Sequence, residues 1–352
     1  MKKVSVKELK NNMILAQSVE NPLGGILLYD GARLREEQIQ KLVDNMVTEV
    51  YILDDVEKNA SVYSIETIEK ESVEIIKKTV ETRIQTQDDA EITEIIETAS
   101  QIINDIVNNV DVANCMVNVK RKRTDLYSHM LSVASLSAII GIKGGYSEQQ
   151  IRDITTGALL HDIGLCEVEV PFDDVEISRM PATDKLNYRK HVITGYEMIQ
   201  SFKWMSDTSK MIVLSHHERI DGSGYPFHKT ADRILPEVRL VSICDHFDEM
   251  INGIGYKKRR VYEVVEFFRT NEAYLFDYDL MNLVLSTVTW FPTGSLVRTN
   301  IGDIARVYKQ NNGLPDRPVL QIVKYADGRE CREEIFKDLT EELTVFIYDS
   351  ID

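Results

Sequence analysis

The chain has 352 residues, with 57 acidic against 41 basic side chains and a formal net charge of −16 at pH 7. That length accommodates one sizeable core with smaller appended units, and the negative charge repels polyanions at long range, which counts against DNA or RNA as a regular partner. No apolar run reaches the roughly 18 residues of a membrane helix, and the start MKKVSVKELK lacks the apolar stretch of a secretory signal, so a cytoplasmic protein without membrane insertion is expected.

Residues 1–56 mix short alternating apolar stretches with the turn signals NPLGG at 21–25 and DG at 30–31, then a helical pattern at Leu42, Val43, Met46 and Val47 and a strand-like VYIL, Val50 to Leu53. This predicts a small α+β module. Over 57–114, Ile92, Ile95, Ile96, Ala99, Ile102, Ile103, Ile106 and Val110 follow helical spacing with glutamates between them, which predicts acidic amphipathic helices. Their apolar stripe serves either packing against the core or a homodimer contact. The basic run KRKR, Lys120 to Arg123, is read as a solvated patch, with steering of a small anion as the sharper alternative.

Residues 115–289 carry few turn clusters and are predicted all-helical, whereas 290–352 change to alternating apolar residues punctuated by NNG and ADG, the pattern of a small antiparallel β unit. Cys115, Cys166, Cys244 and Cys331 are far apart and form no CxxC pair, so they are expected to be reduced, ordinary residues.

The helical stretch holds a series of imidazoles and carboxylates suited to divalent ions. Asp125 and His129 are four apart and share one face of a predicted helix. His161 and Asp162 end the apolar segment GALL; adjacent helical positions diverge, which suits two ions with Asp162 between them. His191 stands alone in RKHVITGYEMI, His216 and His217 end SKMIVLSHH, and Asp245 lies in LVSICDHFDEM with Asp248 one turn on, placed to orient a ligand from behind. His228 and His246 are left out of this cluster.

The segment HHERIDGSGYP, His216 to Pro226, together with ALLHDIG, resembles the HD-GYP family of metal-dependent phosphohydrolases over residues 115 to 290. The resemblance implies a mainly α fold, with an all-helical HD-type catalytic core at 115–289 between the small α+β and β units. It assigns metal ligation to His129, His161, Asp162, His191, His216, His217 and Asp245, with His161 and Asp162 catalytic, and it offers Asp125 as the carboxylate for a third ion. Two divalent transition-metal ions are implied, three if Asp125 joins, with iron or manganese favoured. The activity implied is hydrolysis of cyclic di-GMP to pGpG or GMP through a metal-bridging hydroxide. Tyr225, Lys257 and Arg219 are the expected substrate contacts, Tyr225 having loop packing as its other role. Two departures stand out: Leu165 replaces a family lysine and Ile254 a family arginine, which implies weaker phosphate binding unless Lys257 compensates, and leaves a metal-containing dinucleotide sensor as the alternative.

Overall fold

The structure is a computed structural model that describes residues 123–311 and 314–351 without interruption. Ahead of these it describes residues 2–11, 13, 15–17, 19–20, 26–28, 34, 36–52, 71, 73–75, 89–109, 112, 115–116, 119–120 and 122. The expected turns at 21–25 and 30–31, Val110 and nearly all of residues 57–88, the first part of the 60–110 helices offered for a homodimer contact, lie outside the described residues. The chain forms two compact units, Met1–Ser72 with Asn104–Tyr127, and Val73–Ile103 with Ser128–Asp352.

In the first unit, β1 (Lys2–Ser5) pairs antiparallel with β4 (Glu49–Ile52), and β2 (Val19–Glu20) with β3 (Ile26–Leu28). Helix α1 (Glu36–Asp44) adds Leu42 to a core of Val4, Val6, Leu15, Leu28, Leu34, Val50 and Ile52. Alternation in β1 and β4 turns one face inward, as the period of two requires. The basic run is not a solvated patch throughout: Lys120 is buried, its ammonium on the Glu71 carboxylate and over the Tyr127 ring.

The second unit is mainly α. Helix α2 (Asp89–Val107), which belongs to this unit as far as Ile103, buries Ala99, Ile102 and Ile103, as its stripe predicts. Helix α3 (Thr124–Lys143) corrects the expectation that nothing here is of membrane length: an 18-residue window has mean hydropathy 1.3, but 83% of it is buried inside the protein. The polar residues that hid this run, His129 and Ser132 among them, face the interior with the apolar ones.

Helix α4 (Glu148–Leu160) starts at a Ser147–Gln150 capping box and runs into His161 with Ala158, Leu159 and Leu160 buried. Helices α5 (Ala182–Arg189), α6 (His191–Ile199) and α7 (Asp207–Ser215, capped by Ser206) follow, and α7 packs on α4 and α6. Helix α8 (Pro236–Asn252) opens with proline, whose missing N–H costs nothing there, and closes at Gly253 with φ +79°. Helices α9 (Val261–Phe267) and α10 (Tyr278–Thr287) complete the bundle.

The last segment forms an antiparallel sheet in the order β8 (Phe336–Asp338), β7 (Val319–Lys324), β6 (Ile304–Lys309), β5 (Leu296–Thr299), β9 (Ile347–Ser350). Val297, Ala305, Val307, Leu320 and Ile322 face inward. The sheet is tied to α9 through Asp349, which accepts from Arg260 and from the Tyr262 hydroxyl at 3.0 Å, while the Tyr262 ring stacks on Phe291.

Candidate metal centre

Helix ends and helix faces converge their side chains in the second unit. His129 comes from α3, His161 and Asp162 follow α4, His191 opens α6, His216 and His217 follow α7, and Asp245 lies inside α8. All seven side chains are buried, six at 0% exposure and His217 at 5%. Gly164 permits the turn after Asp162 to press on α6, because a Cβ there would stand 2.1 Å from the His191 carbonyl oxygen. No other residue fits without moving the helix that delivers His191.

The groups sort into sets able to hold a cation: Asp162, His191, His216 and His217; His129, His161, Asp162 and Asp245; and His217, Asp245 and Glu249, with ligand atoms in each set within 4.8 Å of one another. Asp162 divides its carboxylate between the first two. Oδ1 lies 3.2 Å from His191 Nε2 and 3.4 Å from His216 Nε2, and Oδ2 lies 3.5 Å from His129 Nε2 and 3.4 Å from His161 Nε2. Neither oxygen has a hydrogen-bond partner.

Four imidazoles are held from behind. Nδ1 of His161 lies 2.7 Å from the Ala158 carbonyl, that of His191 2.7 Å from the Tyr188 carbonyl, and that of His216 3.1 Å from the Val213 carbonyl. Nδ1 of His129 lies 2.8 Å from Asp248 Oδ2, while Asp248 Oδ1 accepts from Ser132 Oγ at 2.7 Å. These acceptors select the Nδ1–H tautomer and leave each Nε2 lone pair toward the centre, the arrangement that orients histidines on metals. His161 Nε2 and His129 Nε2 are 3.3 Å apart, and His191 Nε2 and His216 Nε2 3.4 Å apart. Nitrogens so close, with unpartnered carboxylate oxygens beside them, make a donor set that fits divalent cations and would be costly to bury without them.

The electrostatics divide the histidines. Burial works against a charge on His129 and His161, but the neighbouring carboxylates outweigh it, holding His129 well above the usual imidazole range and pushing His161 up to about 10. Burial lowers His216, and burial with the His216 neighbour lowers His217 further. Against the penalty of burial, His161 first and then His129 hold Asp162 and Asp245 well below the usual carboxylate range.

Beside the centre is a pocket of about 250 Å³ lined by Lys185, Tyr188, Arg189, His217, Arg219, Tyr225, Glu249 and Tyr256 among others. Gly224 folds its loop onto the end of α7, since a Cβ there would meet Arg219 N at 2.3 Å. The Glu218 carboxylate accepts from the backbone of Phe227 at 2.7 Å and Lys229 at 2.9 Å, and Tyr225 stacks on His217 at 4.7 Å. Arg189 lies over the other partner of that stack, 5.0 Å from the Tyr225 centroid.

The structure brings together seven of the expected ligands, places Asp248 against His129 and sets Tyr225 and Arg219 on the pocket, but it does not bring in Asp125 or Lys257. Asp125 is exposed in the first turn of α3 and stands outside all three sets, because a shared helix face says nothing of what covers the helix end. Lys257 does not line the pocket: positive φ at Gly253 and Gly255 turns the chain, and its exposed ammonium lies 3.2 Å from Asp174. Arg219 does line it, though its guanidinium already donates to the His216 and Glu218 carbonyls and to Ser242 Oγ. Leu165 and Ile254 are core residues, at 0% and 1% exposure.

Sequence reasoning missed Glu249, Lys185, Arg189, Tyr188 and Tyr256. Glu249 had a usable signal, four residues after Asp245 on one helix face. It is buried, its Oε2 lies 3.2 Å from His246 Nδ1, and burial with the Asp245 charge pushes it up to about 7.

The chain is similar to known proteins. The family model described as HD domain matches residues 92–280, and one described as KOW domain associated with HD domain matches 296–352. A cyclic di-GMP phosphodiesterase of Pseudomonas aeruginosa is 28% identical over 233 residues, 63% of this chain and 55% of that protein. The cyclic di-GMP phosphodiesterase response regulator RpfG of Xanthomonas campestris is 33% identical over 129 residues, 36% of this chain and 33% of that protein. The chain thus spans at most about half the length of these relatives. Among solved structures, an HDG"Y"P protein from Bdellovibrio bacteriovorus is 19% identical, with a TM-score of 0.44 over 81% of this chain and 98% of that one. With the HD domain model covering more than half of its length and its HD and GYP segments at the centre, the chain belongs to the HD domain family and is of the HD-GYP type.

Proposed function

We propose that this chain is a metal-dependent phosphodiesterase that opens a cyclic dinucleotide, cyclic di-GMP, to linear pGpG or on to GMP. The observation that carries the reading is the Asp162 carboxylate, buried, without hydrogen bonds, and split between two sets of imidazoles beside an aromatic and cationic pocket. Two divalent ions are assigned, one to Asp162, His191, His216 and His217, the other to His129, His161, Asp162 and Asp245; the nitrogen and oxygen donors favour iron or manganese. When bound, such ions supply Lewis-acid polarisation of phosphoryl oxygens and activation of water.

The protein's own groups do the rest. Tyr225, stacked on His217 and lining the pocket, is placed to contact a base or ribose. Lys185 and Arg189 on α5 take the phosphate role that Leu165 and Ile254 do not fill, and neither has an ion-pair partner among the described residues. Local cations of this kind let a protein of net charge −16 receive an anionic substrate. A second reading, a sensor that binds the dinucleotide without turnover, is favoured by the buried aliphatic side chains of Leu165 and Ile254.

Incubating manganese-loaded protein with cyclic di-GMP, cyclic di-AMP and 3′3′-cGAMP, followed by chromatography of the products, separates the readings. Linear dinucleotide that is absent with Asp162→Ala supports the enzyme; saturable binding without product supports the sensor; neither binding nor product removes both.

A further inference from the structure

Helix α5 turns one face to the pocket. Lys185, Tyr188 and Arg189, spaced at i, i+3 and i+4, all line it, and they grade inward: Arg189 is exposed, Lys185 half-buried and Tyr188 at 4% exposure. The Tyr188 ring packs against Phe172 at 6.0 Å and edge-on against His191 at 5.1 Å. Its hydroxyl reaches the wall formed by Gly255, where a Cβ would stand 3.0 Å from that oxygen, and Gly255 too lines the pocket. There the hydroxyl is buried without a hydrogen-bond partner among the described residues, although the Glu249 carboxylate shares the pocket.

A buried hydroxyl left unpaired costs the fold free energy, and a phenylalanine would fill the same place between Phe172 and His191 without that cost. A donor kept unpaired in a pocket wall is explained by an acceptor on the ligand. Any tyrosine is protonated at neutral pH, and burial, with Glu249 next, pushes this one further above the usual phenol range, so the group is a proton donor.

We propose that the Tyr188 hydroxyl is a substrate contact, donating a hydrogen bond to a phosphoryl oxygen of the bound phosphodiester at the deep end of a cradle whose mouth is Lys185 and Arg189. The inference rests on the phosphodiesterase reading of the site. The three donors divide the work. The two cations draw the anion from solvent, and the phenol, beside the ligand candidate His191, fixes a phosphoryl oxygen where water is excluded. With Leu165 and Ile254 in the core, a neutral donor here supplies part of what they do not.

Tyr188→Phe removes the oxygen alone and separates a ligand contact from a packing role by sign. The metal-free variant is expected to melt at the wild-type temperature or higher, because an unpaired polar atom is gone. Loaded with Mn²⁺, it is expected to keep the wild-type manganese content, to bind inorganic phosphate about 3- to 10-fold more weakly by calorimetry, and to cleave cyclic di-GMP with kcat/KM lowered about 10-fold or more. A lower melting temperature, failure to fold included, reveals a structural partner for the hydroxyl and overturns the inference. Loss of manganese together with phosphate overturns it too, since Tyr188 is then a support for His191, whose Nδ1 its carbonyl already holds at 2.7 Å. Wild type that binds no phosphate, or a variant within about twofold of wild type in phosphate affinity, has the same consequence. If wild type cleaves no cyclic dinucleotide while Tyr188→Phe still weakens phosphate, the phosphodiesterase reading falls and the anion contact stands. If wild type cleaves it and the variant matches wild type in both measurements, the contact falls and the phosphodiesterase stands.

Discussion

Asp248→Asn isolates the value of holding an imidazole from behind. Asp248 is fully buried, three residues beyond Asp245 on α8, is a member of none of the three candidate ligand sets, and lies against His129. Its Oδ2 lies 2.8 Å from His129 Nδ1 and its Oδ1 accepts from Ser132 Oγ at 2.7 Å. Asparagine keeps the shape, removes the charge, and can offer an oxygen to only one of these donors. A hydrogen bond to a charged group contributes about 1.5–3 kcal/mol. Loss of an orienting partner lowers metal affinity about 10- to 100-fold, which is about 1.4–2.7 kcal/mol. The two routes agree, so Asp248→Asn is expected to weaken the ion at His129, His161, Asp162 and Asp245 by about one to two decades and to leave the ion at His191, His216 and His217 in place. Ser132→Ala, which removes only a neutral donor, is expected to cost less than about tenfold. Competition with a chromogenic chelator measures both, with circular dichroism as the check on folding. A folded Asp248→Asn protein within about threefold of wild type would refute the orientation argument.

Metal affinity is expected to rise with pH. With folded values for His129 and His161 above the unfolded value of about 6.5, their protonation stabilises the metal-free fold fully below that pH and loses this effect as pH rises through the folded values, about 10 for His161. The depressed Asp162 and Asp245 contribute in the other sense, above the usual carboxylate range and less as pH falls through it. Because ligation needs neutral imidazole, calorimetry in buffers of different ionisation enthalpy should show proton release on metal uptake near neutral pH, and the melting-temperature gain from metal should grow between about pH 6.5 and 9; uptake without proton release would contradict this. Gly164→Ala is expected to cost about 3 kcal/mol or more in denaturant unfolding of the metal-free chain, because the new Cβ meets backbone, whereas Gly141→Ala in α3, 3.4 Å from its nearest neighbour, should be neutral or stabilising. Equal effects would show that α6 yields freely. Arg189→Ala is expected to raise KM for the dinucleotide about 3- to 10-fold and Lys257→Ala to leave it nearly unchanged, since Lys257 is paired with Asp174 outside the pocket; the reverse order would return Lys257 to the site.

The helical architecture was legible because it rests on local rules, whereas the set His129, His161, Asp162, His191, His216, His217 and Asp245 came from the resemblance of ALLHDIG and HHERIDGSGYP to the HD-GYP family. Apolar spacing placed the helices, and helix ends presented adjacent side chains in diverging directions, which is what Asp162 needs to serve two sides. Gly164 and Gly224 were visible as turn residues, yet the reason for each is a tertiary approach, to the His191 carbonyl and to Arg219, that no local pattern encodes. Lys185 and Arg189 were invisible for the same cause: a lysine and an arginine four apart on a short helix look like any solvated face until the pocket wall is assembled around them.

The sharpest illustration is α8, where Asp245, Asp248 and Glu249 share one face by spacing alone, and periodicity ranks none of them above the others. Neighbours rank them. Helix α3 brings His129 and Ser132 against Asp248 and so engages both of its oxygens. The Gly253 turn folds Gly255 and Tyr256 back along the pocket, and Glu249 is left between that wall and His217. Asp245, lying between these surroundings, keeps one oxygen for each side. A carboxylate's role on a helix is thus set by what packs on either side of it, which is why the sequence reading named Asp125 and passed over Glu249 although the fold exposes the first and buries the second.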